Sequence, residues 1–187
     1  MRPITVLCML SLDGVMQGPG GAMEDPSNEF DLGGWSRPYG DAIYAQVVQE
    51  ELQPATYLLG RTTFEIWEAY WPHNTEFWPA INKETKYVLS ATRNETSWNN
   101  TIFLPNIEAI IELKKSNGGP LHVWGSSKLV QLLMEHNMVD EFRLKIHPIV
   151  LGKGKKLFHS GKVPAVYTLV NSITTTTGVI ILHYKKQ

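Results

Sequence analysis

Two short stretches of the sequence place a glycine between an apolar run and a helix-type pattern, with hydroxyl side chains close behind the glycine. The first is LLGRTTFE (58–65) and the second is VWGSSKLVQLL (123–133). A helix N-terminus presents N–H groups without acceptors and a partial positive charge, and glycine lets an anion approach the backbone. Each joint could therefore bind a phosphate, and Arg61 adds a forked, charged donor to the first. The alternative is an ordinary strand–helix connection, capped in the second case by Ser126 or Ser127.

The segments around these joints alternate between strand and helix patterns. After them come three strand-type runs without a helix between them, with Thr176-Thr177-Gly178 predicted to form the last hairpin turn. This order predicts an α/β sandwich with a mainly parallel sheet and antiparallel C-terminal strands. Two joints at the ends of parallel strands can meet in one crevice, as a dinucleotide pyrophosphate requires. The predicted strands are 3–10, 55–59, 86–90, 101–105, 121–124, 139–151, 165–174 and 177–186, and the predicted helices are 41–52, 62–70, 77–85, 107–116 and 127–136.

Composition and charge limit the classes of function. The 187 residues are 43% hydrophobic and 19% charged, which predicts one globular domain over 1–187. A net charge of −1 predicts no general attraction to nucleic acid or to an anionic membrane. Cys8 is the only cysteine and lies in an apolar run, so it is expected to be a buried core residue. No apolar run reaches the length of a membrane-spanning helix, and we expect a cytoplasmic protein.

Four motifs in order resemble one family. Gly60 to Glu65 is similar to the GRxTxE signature of dihydrofolate reductases and of the riboflavin-pathway reductase domain, and VWGSS (123–127) resembles their second cofactor motif. SLDGVMQG (11–18) and VDEFRLKIHPIVLGKGKKLF (139–158) are similar to segments of the riboflavin-type reductases. The resemblance implies a three-layer dihydrofolate reductase-like sandwich, NADPH as cofactor, and reduction of a carbonyl or imine in a small heterocycle. The implied reaction resembles those of 5-amino-6-(5-phosphoribosylamino)uracil reductase and dihydrofolate reductase.

The same resemblance implies positions for the cofactor. It places Arg61 beside the phosphates and Ser90 near the adenosine ribose, and Arg93 is either a partner for the 2′-phosphate or a solvated loop cation. The family usually has Gly-Gly, often joined by a cis peptide, where this chain has Gly125-Ser126, so the geometry of that bond is left open. The residues assigned to cofactor binding are Gly60, Arg61, Thr62, Thr63, Ser90, Arg93, Trp124, Gly125, Ser126, Ser127, Lys128 and Leu129.

The proton donor of such a reduction is not identified by the sequence. Folate reductases carry a buried carboxylate on the first helix, and the nearest candidates here are Asp13 and Asp41. Asp41 equally suits a helix N-cap, and Asp13 equally suits a turn before Gly14. The lysines of GKGKK (152–156) suit either a substrate phosphate or a solvated edge, and this run lacks the spacing of a P-loop.

Three further expectations concern the assembly and its alternatives. The loop 14–35 is expected to be a mobile lid over the nicotinamide end, because it is rich in glycine and lacks apolar periodicity. A homodimer is implied by the resemblance, since riboflavin-type reductases pair through their sheets. The alternative function is a non-catalytic nucleotide-binding module or dimeric scaffold with the same fold. The candidate dimer residues are Val166, Tyr167, Leu169, Ile181 and Tyr184.

Overall fold

The protein, described here by a computed structural model for residues 1–158 and 164–187, is built on one eight-stranded sheet. The strands are β1 (Ile4–Ser11), β2 (Thr56–Gly60), β3 (Lys86–Leu89), β4 (Thr101–Leu104), β5 (Leu121–Trp124), β6 (Glu141–His147), β7 (Tyr167–Thr174) and β8 (Ile180–Lys186). Their order in the sheet is β4-β3-β2-β5-β1-β6-β8-β7, with β1 to β6 parallel and the last two strands antiparallel. The predicted architecture, mainly parallel with antiparallel C-terminal strands, is confirmed.

Helices cover both faces of this sheet because its parallel strands are connected by crossovers. The helices are α1 (Ala42–Glu51), α2 (Arg61–Tyr70), α3 (Pro79–Lys83), α4 (Ile107–Lys115) and α5 (Ser127–Glu135). One core contains aliphatic side chains of β1, β5 and β6 together with Ile110 of α4 and Leu129, Val130 and Leu133 of α5. The opposite core is aromatic and includes Phe64 of α2 and Trp78.

The neighbouring strands β2 and β5 form the switch point of the sheet. The helix that follows β2 packs in the aromatic core, and the helix that follows β5 packs in the aliphatic core. The chain therefore leaves these two carboxyl ends toward opposite faces and opens a crevice between them. Open α/β sheets bind their ligands in crevices of this kind.

The predicted boundaries need correction at the C-terminal strands. The run 139–151 forms a strand only over Glu141–His147, because Pro148 follows and has no N–H for the ladder. The predicted turn is confirmed: the Gly178 N–H donates to the Thr175 carbonyl, and Gly178 has a φ of +84° that suits glycine. No helix within 1–158 and 164–187 is long and apolar enough to cross a bilayer.

The loop between β1 and α1 is packed at its base. The Trp35 indole N–H donates to the Gln17 carbonyl at 2.8 Å, and the buried Gln17 amide donates to the carbonyls of Asp25 and Ser27. Val15, Phe30 and Trp35 form a small hydrophobic cluster of their own. This segment is thus attached through its apolar side chains, while its tip at 26–29 is exposed. Its opening as a lid remains a prediction.

Candidate functional site

The two strand–glycine–helix joints are in direct contact. The Gly60 N–H donates to the Ser126 hydroxyl oxygen at 3.0 Å, although the two residues are 66 positions apart in the sequence. A Cβ added at Gly60 would lie 3.3 Å from the Ser126 hydroxyl oxygen, so glycine at position 60 allows this close approach. The predicted convergence of the joints is therefore a feature of the structure. The hydroxyl proton of Ser126 remains able to donate, because the oxygen acts as the acceptor in this bond.

The second joint is a tight turn that leaves backbone N–H groups without helix acceptors. Gly125 and Ser126 both have left-handed backbone angles, with φ of +58° and +59°, and no cis peptide bond occurs in the described chain. The first N–H to bond within α5 is that of Val130, to the Ser126 carbonyl at 2.9 Å. The N–H groups of Ser127, Lys128 and Leu129 precede it, so they have no acceptor within the helix. A Cβ added at Gly125 would meet no atom within 4 Å, which leaves open space where a phosphate would approach.

The alternative interpretation of this joint, a helix capped by the Ser126 side chain, is wrong. Ser126 occupies the N-cap position of α5, but its side chain makes no capping hydrogen bond. The hydroxyl instead accepts from Gly60 in the first joint. At the first joint Gly60 is itself the N-cap of α2 and offers no side chain, so Arg61, Thr62 and Thr63 form the first turn. Both helix starts therefore keep their first N–H groups free of side-chain caps.

The arginines near these joints are engaged within the protein. Arg61 is half-exposed and donates to Glu65 at 3.1 Å, an exposed pair of the kind that contributes little to stability. Arg93 donates to Glu68 at 2.8 Å and its guanidinium lies 5.2 Å from the centre of the Phe64 ring. Arg93 is thus an ion-paired side chain and not the solvated cation that was the alternative. Its backbone N–H donates to the buried Ser90 hydroxyl at 2.9 Å, so these two predicted residues lie together.

The remaining predicted cofactor residues differ in what they expose. Lys128 is exposed at the start of α5, whereas the Leu129 side chain is buried in the aliphatic core and offers only its backbone. The Trp124 ring packs 5.6 Å from the Trp78 ring in the aromatic core, and its buried indole N–H has no hydrogen-bond partner among residues 1–158 and 164–187. An unsatisfied buried donor of this type costs about 1–3 kcal/mol. Within the part of the chain that the structure describes, Trp124 therefore has an unpaired donor directly before the turn at Gly125.

Asp13 is occupied by contacts that hold a loop. Its carboxylate accepts from the Ser11 hydroxyl at 2.6 Å and from the N–H groups of Leu151 and Gly152 at 3.1 and 2.9 Å. These bonds, the Ser11 one foremost, lower the pKa of Asp13 to about 2. The turn-carboxylate interpretation is confirmed. An acid that is ionised throughout the neutral range is poorly suited to give a proton, which disfavours the catalytic role.

Asp41 is the N-cap of α1, as the alternative interpretation predicts. One carboxylate oxygen accepts from the Tyr44 N–H at 2.7 Å, and the other accepts from the N–H and hydroxyl of Thr176, each at 2.6 Å. The Thr176 hydroxyl and the helix N–H lower the pKa of Asp41. This residue therefore joins the first helix to the last hairpin turn, and its ionised state again disfavours it as a proton donor.

The sequence-based search missed a set of buried polar side chains between α1 and the sheet. Glu51, at the end of α1, forms a hydrogen-bonded ion pair with Lys145 of β6, and both side chains are almost completely buried. His147, two residues further along β6, is fully buried within a ring of Trp35, Tyr39 and Tyr44. Burial lowers the pKa of His147. Glu51 and Lys145 lie in ordinary amphipathic and alternating patterns, so no local signal distinguishes them from surface charges.

The lysine-rich segment faces the loop and not an open anion site. Lys155 donates to Asp25 at 2.6 Å, and Lys153 pairs with Asp31 at 2.7 Å. The backbone N–H of Lys155 also donates to the Gln17 amide oxygen at 3.0 Å. A cavity of about 180 Å³ lies between this segment and the loop and is lined by Gln17, Asn28, Phe30, Lys153, Gly154 and Lys155. The segment therefore fastens the loop at residues 17–31.

A sequence model of the RibD C-terminal domain matches residues 2–181 of this chain. The chain belongs to the RibD C-terminal domain family. Among curated relatives, the uncharacterised protein YyaP of Bacillus subtilis (strain 168) is 32% identical over 191 residues, covering 98% of this chain and 94% of YyaP.

Solved structures agree with the fold of this RibD C-terminal domain. A protein from Shewanella sp. PV-4, named provisionally as a riboflavin biosynthesis protein, has a TM-score of 0.68 at 18% identity, covering 100% of this chain and 99% of that one. Dihydrofolate reductase from Enterococcus faecalis, complexed with NADP(H), has a TM-score of 0.63 at 15% identity, covering 99% and 96%. The dihydrofolate reductase-like fold expected from the sequence is thereby confirmed. At such identities these likenesses describe the fold.

Proposed function

We propose that this RibD C-terminal domain is an NADPH-dependent reductase that acts on a carbonyl or imine group of a small heterocycle. The observation that carries the proposal is the hydrogen bond from the Gly60 N–H to the Ser126 hydroxyl. It brings two uncapped helix starts together at the switch point of the sheet, which is the arrangement that a dinucleotide pyrophosphate needs. Support also comes from the family and from the NADP(H) complex of a dihydrofolate reductase with the same fold.

The residues present fit the cofactor's phosphates. The free N–H groups at the start of α5 would receive the pyrophosphate, with the Ser126 hydroxyl as a further donor, and the open space at Gly125 would admit it. Arg61 is exposed enough to reach a phosphate. Arg93 is the candidate for the 2′-phosphate, which would compete with Glu68 for the guanidinium. NADPH would supply a hydride, while the protein orients it and provides a proton.

The substrate class is proposed from the resemblance to 5-amino-6-(5-phosphoribosylamino)uracil reductase and to dihydrofolate reductase. The substrates of both contain a nitrogen heterocycle. The buried polar atoms of Trp124 and His147, on the face of the sheet that α1 covers, have no partner within the described chain. Such atoms are expected to meet the polar edge of a bound ring.

A non-catalytic nucleotide-binding module is the second candidate. It is favoured by the state of Asp13 and Asp41, whose oxygens are occupied by structural hydrogen bonds. In that case the cofactor site is kept and the acid is missing. The two candidates differ in turnover and not in cofactor binding.

Cofactor binding is tested by titrating NADPH and NADH into the protein while following tryptophan fluorescence. We expect tighter binding of NADPH, a weaker affinity in Arg61→Ala, and a loss of the preference over NADH in Arg93→Ala. Lys115→Ala is the matched control for Arg61→Ala, because Lys115 forms a comparable exposed pair with Glu112 away from the joints. Failure to bind either cofactor, or equal affinities unchanged by both arginine variants, would refute the proposal.

Turnover is tested by following NADPH oxidation with dihydrofolate and with ribosyl or ribityl pyrimidine substrates. Oxidation that depends on one of these compounds supports the reductase. NADPH binding without oxidation in any of these mixtures favours the binding module.

A further inference from the structure

The Glu51–Lys145 ion pair has unused hydrogen-bonding capacity. Both side chains are buried, with 3% and 0% exposed, and Lys145 Nζ donates to Glu51 Oε2. Within residues 1–158 and 164–187, Glu51 is the one hydrogen-bond acceptor of this ammonium, which carries three N–H donors. A buried cation with spare donors is costly unless another polar group approaches it. The pair therefore has room in its bonding for a further partner.

The ammonium of Lys145 lies close to the residue that precedes the second joint. Its Nζ is 5.4 Å from the centre of the Trp124 ring, and Trp124 directly precedes Gly125. Leu7 of β1 is aligned with Trp124 of β5 on one side and with Arg143 of β6 on the other. Lys145 follows Arg143 by two residues in β6, so it lies nearer the carboxyl ends of the strands and is separated from β5 by β1 alone. The long side chain of Lys145 thus reaches across β1 toward the end of β5.

Three residues near this pair carry polar atoms without partners in the described structure: the Trp124 ring lies against Lys145, and the charges of Glu51 and Lys145 act on Tyr44 and His147 respectively. The Tyr44 hydroxyl, the Trp124 indole N–H and His147 Nε2 are buried and have no hydrogen-bond partner in the described structure. The Tyr44 and His147 rings are 5.6 Å apart, and burial together with the charge of Glu51 raises the pKa of Tyr44. Most buried polar atoms in proteins are paired. A group of unpaired ones near a buried ammonium indicates a site for a polar molecule.

Resting on the proposed reductase function, we propose that Lys145 is the catalytic proton donor and that Glu51 is its positioning residue. When the carbon of the C=O or C=N bond takes up the hydride, which bound NADPH would supply in becoming NADP⁺, the π electrons move to the oxygen or nitrogen. That atom takes a proton from the Lys145 ammonium, so one N–H bond breaks and one O–H or N–H bond forms. The neutral amine regains a proton from water after the product leaves. With Lys145 as proton donor, the reaction does not need Asp13 or Asp41, whose structural hydrogen bonds make them unsuitable as acids.

A second buried lysine provides a matched control. Lys86 is fully buried, donates to the Ile81 and Glu84 carbonyls at 2.8 and 2.9 Å, and lies 4.6 Å from the centre of the Trp98 ring. It shares burial and an indole neighbour with Lys145, but it is the first residue of β3 and bonds to the carbonyls of α3 and its C-cap. A cofactor or substrate bound at the two joints should therefore affect Lys145 and not Lys86.

The experiment observes the side-chain nitrogens of protein labelled with ¹⁵N-lysine, with assignments from Lys145→Arg and Lys86→Arg. Tryptophan fluorescence of the same samples reports whether NADPH is bound. We expect NADPH to shift the Lys145 signal, and uracil added to the NADP⁺ complex to shift it again through its ring carbonyls. The Lys86 signal should stay in place at both steps.

The outcomes separate this role from the proposed function. Bound NADPH with an unmoved Lys145 signal would overturn the role while leaving the cofactor site intact, and so would a response to cofactor without a response to uracil. Absence of NADPH binding would refute the proposed function first, and the role of Lys145 with it.

A kinetic comparison completes the test if a substrate is turned over. Lys145→Met should lower kcat by at least about 100-fold with NADPH affinity unchanged, as for loss of a general acid, while Lys86→Met should keep its kcat. An unchanged kcat in Lys145→Met would overturn the role. If the Arg and Met variants at position 145 do not fold, Glu51→Gln is used in their place. In that variant we expect the Lys145 nitrogen signal to stop responding to uracil.

Discussion

Gly125 is the position at which backbone conformation and cofactor binding can be separated most cleanly. Its φ is +58°, and an added Cβ would meet no atom within 4 Å. Gly125→Ala therefore fits the free protein without a clash and is penalised only for its left-handed backbone. That penalty is about 1–2 kcal/mol in the free energy of unfolding.

In the cofactor complex the same methyl group would occupy the space through which the pyrophosphate approaches the start of α5. Displacement of one hydrogen bond to a charged phosphate costs about 1.5–3 kcal/mol. This corresponds to NADPH binding that is roughly 10- to 150-fold weaker. Gly125→Val adds a branched side chain and is expected to abolish binding and any turnover.

The control is Gly178→Ala in the last hairpin turn. Gly178 has a φ of +84°, and an added Cβ would make only an ordinary contact of 3.5 Å with Pro148. Urea unfolding should report a similar loss of stability in both alanine variants, whereas fluorescence titration should report weaker NADPH binding only for Gly125→Ala. Wild-type affinity in Gly125→Ala, or an equal loss of affinity in Gly178→Ala, would refute the proposed position of the pyrophosphate.

Four further outcomes follow from the same structure. Asp41→Asn should lower the urea midpoint and leave NADPH affinity unchanged, because Asp41 joins α1 to the last turn; inactivation without destabilisation would restore it as the acid. Burial, followed by the charge of Arg143, lowers the pKa of His122 to about 4, whereas the unfolded value is about 6.5. Up to about 3 kcal/mol of the free energy of unfolding is therefore present above pH ~6.5 and should be lost as the pH falls through 4. His122→Gln should flatten this dependence in urea unfolding, and an equally steep curve would contradict it. NADPH should protect the loop 14–35 from limited proteolysis, and equal cleavage rates with and without it would contradict the lid. Leu169 on the edge strand β7 is 47% exposed and is a candidate dimer contact. The wild type should therefore have dimeric mass at micromolar concentration, and Leu169→Glu should be monomeric. A monomeric wild type would refute the dimer proposal.

The candidate dimer residues show how much a strand pattern can predict. Apolar composition predicts them in and just before β7 and in β8, and strand alternation predicts that some of them face inward. Ile181 is buried in the monomer, Tyr184 packs against the aliphatic core, and Val166 and Leu169 are exposed. Alternation predicts that the faces differ, but the assignment of each face depends on which strand lies alongside.

The sequence by itself determined the order of elements, the family and the two joints. Each joint depends on contacts within a few residues, since glycine ends a strand and an amphipathic run begins directly behind it. Such short-range preferences are visible in the chain before it folds, and so are Gly60, Arg61, Gly125 and Ser126 as candidates for phosphate binding.

Only the tertiary structure decided what those side chains do. Ser126 accepts from Gly60 across 66 residues, Asp41 binds Thr176 across 135, and Lys145 binds Glu51 across 94. The state of a carboxylate or an ammonium depends on which distant groups remove its water and bond to it. Asp13 and Asp41 were visible as acids but are held ionised by loops far along the chain. Glu51 and Lys145 look like surface charges and become a buried pair because α1 packs on β6.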